Sequence, residues 1–285
     1  MDRQLSVNFY RIVQSGRGRM VTEVMQDLLG MTLVERQYVP KDHPIRRLER
    51  VLLEPATGFW IGDFMRFQTE LLPSAPNDDG VQALPVTAIG HHAAFLFDPG
   101  THVLAIQFRS ELRVRALMEY LANFGHGSVF VAEPILKEDT VELIRTRGAR
   151  AVEISVARMQ NYDAEPGESD ALIRNTLAAS AAIGADTVHL RASVGARDGF
   201  LNRIPLIREI SRLMAEVDVD AIKKIEVTPE EGTDLLNLTG TSLRYTDKVE
   251  IPANDPEQSY QVRAGLVRLG YDDKVEYIRT NYAEG

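Results

Sequence analysis

Two apolar runs joined by a tight turn place the first constraint on the fold. Residues 91–108 read HHAAFLFDPGTHVLAIQF. Asp98-Pro99-Gly100 has the chemistry of a chain reversal, because proline presets φ and glycine accepts a positive φ. The spacing predicts an antiparallel hairpin, and any fold for this chain has to house it.

Around the hairpin the pattern is mixed. A β-like run from Ser6 to Val13 gives way to Ser15-Gly16-Arg17-Gly18-Arg19, and a helical pattern starts at Val21. Residues 59–67 (FWIGDFMRF) read as an aromatic strand, and residues 73–80 as a polar loop broken by prolines. Ser110 is placed to cap a helix with Val114, Leu117, Met118 and Leu121 on one face and Gly125 as its stop. A short strand near 129–132 and a helix capped by Asp139 and stopped at Gly148 follow. From Ala151 the reading is strand, helix, strand, helix, strand, with a fourth strand at 241–251 and a helical end from Asp255 to Asn281. The expected fold is α+β: two mixed α/β domains, each with a sheet and helices packed on one face. The expected boundary lies near Gly148, giving an N-terminal domain over 1–148 and a C-terminal domain over 149–285.

The chain of 285 residues has no cysteine, which excludes disulfides, thiolate zinc sites and a cysteine nucleophile. No apolar run approaches the length of a membrane span, so the expectation is a cytoplasmic protein. The net charge of −9 argues against a simple, uniformly basic nucleic-acid binder. Acidic residues outnumber basic ones from 229 onward, which leaves room for a basic face elsewhere.

Little in the sequence carries catalytic chemistry. HExxH, GxSxG and Walker-type motifs are all missing, and neither a cofactor nor a metal ligand set is expected. The Gly-Arg loop lies between strand and helix like a dinucleotide fingerprint, but Val21 stands where that motif needs its third glycine. His91 and His92 are adjacent on a strand, so only one can face His102. What stands out is positive charge on turns. Arg17 and Arg19 sit on a glycine-flexible loop ahead of a helix N-terminus, where backbone N–H groups favour an anion. A plain surface turn is the bland alternative. Arg109 and Arg113 lie one turn apart at a helix start, Arg197 and Arg203 flank a glycine-bearing loop, and Lys223 and Lys224 sit on the next strand. Each group alone reads as solvated surface; converging, they would line a phosphate-tracking cleft.

In its order of elements the chain resembles the RexA-type phage-exclusion proteins. The resemblance is carried by the strand NFYRI, the loop SGRGRM, the helix VMQDLLG, the hairpin FLFDPGTHVLAIQF, the EPIL strand, AVEISVAR and RLMAEVDVDAIKKIEVT. It implies a two-domain, dimeric, cytoplasmic protein that binds DNA, senses intruding phage DNA and triggers abortive infection through a membrane-protein partner. Only the Arg17/Arg19 loop and Lys223-Lys224 fall on its basic stretches.

The leading expectation is therefore a non-enzymatic antiphage-defence sensor that binds double-stranded DNA through phosphates, with little sequence readout. Two alternatives stand beside it: a protein-interaction subunit of a defence or toxin–antitoxin system, and a nucleic-acid-processing enzyme with an unrecognised site.

Overall fold

The computed structural model describes residues 2–41, 44–70, 72, 74–77, 80–83, 86–137, 144, 146, 148–157, 172–195, 199, 201–217, 222–229, 236–238, 242–252 and 255–282. In chain order the first elements are β1 (Asp2–Gly16), α1 (Val21–Gly30), β2 (Gln37–Tyr38), β3 (Arg46–Leu53) and β4 (Trp60–Gln68). Then come β5 (Ser74–Asn77), β6 (Gly80–Ala83), β7 (Ile89–Asp98), β8 (Val103–Gln107), α2 (Val114–Phe124) and β9 (Ser128–Pro134). The second half runs β10 (Ala151–Ala157), α3 (Leu172–Ala182), β11 (Thr187–Ser193), α4 (Arg203–Glu216) and β12 (Ile222–Thr228). It closes with β13 (Leu236–Asn237), β14 (Arg244–Glu250) and α5 (Pro256–Tyr282).

The fold is α+β in two compact units. One comprises 1–132 and 244–285, the other 133–243. This division differs from the single cut expected at 148/149. The strand at 241–251 does form, as β14, but it pairs antiparallel with β1, from Asp2↔Glu250 to Asn8↔Arg244. A first strand of 15 residues offers a long row of backbone donors and acceptors. The returning C-terminus satisfies part of that row.

The first unit is built on an 8-stranded sheet, ordered β14-β1-β8-β7-β4-β3-β2, with β9 also paired to β1. The hairpin predicted from the sequence is β7–β8, with Phe95↔Ile106 and Asp98↔Val103 in register. The residue with left-handed backbone is His102 (φ 55°), not Gly100. Asp98 holds the turn instead, accepting the Gly100 N–H at 2.8 Å and the Thr101 hydroxyl at 2.9 Å. Alternation sends Ala93, Phe95, Phe97, Leu104 and Ile106 to one face, where α1 (Val24, Met25, Leu28) and α2 (Leu117, Leu121) cover them. The opposite face is covered too, by α5, which packs on β7, β8 and β14. The first unit thus has helices on both faces of its sheet, whereas among the described residues of the second unit the helices pack on one face.

Two local expectations change. Ser110 does not cap α2; the N-cap is Arg113, and Arg109–Leu112 form a turn closed by the Leu112 N–H on the Arg109 carbonyl at 3.2 Å. Within the stretch expected in part as loop, residues 74–77 pair with residues 80–83 as the β5–β6 ladder. The helix expected after Asp139 lies largely outside the described residues.

In the second unit the strand–helix alternation from Ala151 appears as expected, in the order β11-β10-β12-β13. All of these neighbours are antiparallel. Val152, Ile154 and Val156 of β10 share a core with Leu177 of α3 and with Ile210 and Leu213 of α4. No helix among the described residues is long and apolar enough to cross a membrane.

Candidate nucleic-acid interface

The Gly-Arg loop is clamped, not loose. Gly16 has φ +89°, and a Cβ there would meet the Gly127 carbonyl oxygen at 2.4 Å. At Gly18 a Cβ would fall 2.3 Å from the Gly125 oxygen and 2.4 Å from the Ser128 nitrogen. The glycines thus permit close approach of two backbones, the loop and the 125–128 turn. Hydrogen bonds fasten the contact. The Arg19 N–H donates to the Gly125 carbonyl at 3.0 Å, and the Arg19 carbonyl accepts from Gln14 Nε2 at 3.0 Å and Ser128 Oγ at 2.7 Å. The flexible-turn expectation is corrected accordingly.

Arg17 rides on this platform, exposed and without an ion-pair partner among the described residues. Arg19 is different, because its guanidinium is paired with Asp27 of α1. The helix N-terminus is also partly spoken for: the Glu23 carboxylate accepts the Met20 N–H at 2.7 Å. The N–H groups of Val21, Thr22 and Glu23 have no intrahelical acceptor. Beside them opens a cleft of about 410 Å³ lined by Arg11, Gln14, Met20, Val21, Thr22 and His102.

The other cations of the first unit do not join this platform. Phe108 hydrogen-bonds through its N–H to Ser6 near the start of β1, at 2.7 Å. Arg109 thus sits eleven or so residues of strand from Arg17, roughly 35 Å at the usual rise. Arg113 is exposed at the start of α2, and the turn before it removes the shared helix face expected for Arg109 and Arg113. Burial, with repulsion from Arg263, lowers the pKa of Arg109 from the ordinary arginine value.

In the second unit, Lys224 is neutralised. Its ammonium lies 2.9 Å from Glu153 and 2.7 Å from Glu226, and Arg191 approaches Glu153 at 3.4 Å. These four alternate in sign across the sheet face opposite the core. The hydrogen bonds that Lys224 donates to Glu226 and Glu153 raise its pKa above the ordinary value, so the site is a cation already matched by acids. Lys223 is exposed, and Arg203 begins α4. Arg197 lies outside the described residues.

Sequence reading missed a buried polar cluster between the first unit's sheet and α5. Arg263 on α5 donates to both oxygens of Asp63 on β4, at 2.8 and 3.1 Å, and His92 Nδ1 lies 2.9 Å from Asp63 Oδ2. Burial alone would raise the Asp63 pKa, but bonds from His92 and Arg263 outweigh it and hold the carboxyl below the ordinary aspartate range. The one available signal was an aspartate in the middle of the apolar strand FWIGDFMRF. His91 bonds Gln68 at 2.8 Å, so the adjacent His91 and His92 are both engaged by β4 side chains. No three His, Asp or Glu side chains among the described residues are grouped to hold a metal. No protein-family model matches the chain, and no curated protein matches its sequence.

Proposed function

We propose that the first unit contacts the phosphate backbone of double-stranded DNA through the Arg17 platform. It acts as a non-enzymatic binding protein, in the antiphage-defence setting that the RexA-type resemblance implies. The observation that carries the reading is Arg17 itself: an exposed guanidinium, unpaired among the described residues, on a backbone held by the 125–128 turn. A fixed loop loses little conformational entropy on binding. The adjoining α1 N-terminus and cleft add N–H groups and room for an anion. Phosphate contacts of this kind are insensitive to base sequence and weaken steeply with salt.

The test is fluorescence anisotropy with labelled duplexes of unrelated sequence across a salt series. Affinity should fall by roughly 10³-fold or more from low to moderately raised salt. Arg17→Glu should weaken binding about equally for every duplex. Salt-independent binding, or an unchanged affinity in Arg17→Glu, rejects the reading.

A second reading, a protein-interaction subunit, is favoured by one observation. The edge strand β2 is flanked by exposed Leu33, Val34 and Val39, and Val34 is 79% exposed. An apolar sheet edge offers pairing to another chain. A pull-down with Val34→Glu as control separates this reading from DNA binding.

A further inference from the structure

We propose that the α5-covered face of the first unit holds a small phosphate-type anion, inorganic phosphate or a phosphate monoester, at Gln107, Arg109 and Arg3. This site is independent of the DNA reading.

The register assembles it. Asp63 pairs with Ala94, and the β7–β8 ladder runs on from Phe95↔Ile106 to put Gln107 beside Ala94. Gln107 in turn pairs with Val7. Even-numbered steps along a strand keep one face, so His92, two positions from Ala94, and Arg3, four from Val7, share it with Asp63 and Gln107. Arg109, just past the end of β8, comes close enough to Asp63, Arg263 and Arg3 to feel their charges.

Two features of this group are unresolved by the protein itself. Gln107 is 1% exposed, yet neither Nε2 nor Oε1 has a hydrogen-bond partner among the described residues. Buried amides are ordinarily satisfied on both atoms. The Arg109 Nε is also buried without a partner. The second feature is charge. Arg109 feels repulsion from both Arg263 and Arg3, offset in part by Glu111 and Asp63. Asp63 is already committed to two bonds from Arg263 and one with His92. Around Arg109, the cations Arg263 and Arg3 are thus set against Glu111 and an Asp63 already bonded elsewhere, beside an orphaned donor and an orphaned acceptor.

The chemistry of the missing partner follows. It must accept from Arg109 Nε–H and Gln107 Nε2–H, and it must donate to Gln107 Oε1. It must also carry negative charge. A protonated phosphate does all of this; sulfate at neutral pH accepts only, and water is uncharged. On the same face, the His92 side chain is 36% exposed and Arg3 is exposed, so the group has neighbours that reach solvent.

The experiment is calorimetric titration and thermal denaturation of the full chain with sodium phosphate against sodium sulfate at matched ionic strength. Phosphate should bind saturably and raise Tm, and sulfate should bind at least about tenfold more weakly. Arg109→Gln should weaken phosphate by roughly tenfold or more. Gln107→Leu should remove the preference for phosphate over sulfate while its unliganded Tm stays at or above wild type, which shows an intact fold. Arg17→Glu should leave phosphate binding unchanged, which separates this site from the DNA platform. No saturable phosphate binding, an equal response to sulfate, or wild-type affinity in Arg109→Gln overturns the proposal. So does loss of phosphate binding in Arg17→Glu.

Discussion

Arg263 and Asp63, exactly 200 positions apart in the chain, form a two-pronged ion pair that joins the C-terminal helix to β4. The side chains are 5% and 3% exposed, so solvent does little to screen them. Replacing both with apolar residues of similar volume need not destabilise the fold, whereas removing one strands a buried charge. Asp63→Ala should therefore cost about 3–5 kcal/mol of unfolding free energy, and Asp63→Leu with Arg263→Met much less. Urea denaturation of the single and double variants measures this.

The same pair sets an acid limit. Asp63 has a folded pKa below its unfolded value, so its contribution to stability is complete above the unfolded value, about pH 4. It is lost as pH falls through the lower folded value. Denaturation midpoints followed from about pH 6 downward should drop below about pH 4, and Asp63→Asn should flatten that drop.

Close backbone contact makes Gly18 intolerant of a side chain. Gly18→Ala drives a methyl into the Gly125 carbonyl and the Ser128 nitrogen, and should cost about 1–3 kcal/mol. The loosened loop should be cut faster by trypsin after Arg17 and Arg19. Gly30→Ala is the control, since nothing lies within 4 Å of a Cβ there. Equal trypsin rates for Gly18→Ala and wild type would show the clamp to be unimportant.

Cations that look alike in sequence should behave differently toward DNA. Arg17→Ala should lower affinity more than Arg19→Ala, because Arg19 already spends its charge on Asp27. Lys224→Ala should leave affinity unchanged, since Glu153 and Glu226 hold that ammonium. Anisotropy titrations at one fixed salt concentration rank the three.

Local features were legible in the sequence. The 91–108 hairpin, the helix ending at Gly125, the helix expected over 204–217 and found over 203–216, and the strand–helix alternation from Ala151 all rest on periodicity and turn chemistry. Those preferences act over a few neighbouring residues, so the chain declares them wherever it folds. Long-range choices were not legible. The sequence placed β14 with the strands preceding it, but in the structure it pairs with β1. Gly16 and Gly18 suggested flexibility until the 125–128 turn came to lie against them. Arg17, Arg19 and Lys224 were equal as letters and became one exposed cation and two paired ones. In each case the outcome depends on which surfaces lose water together, and only tertiary packing decides that.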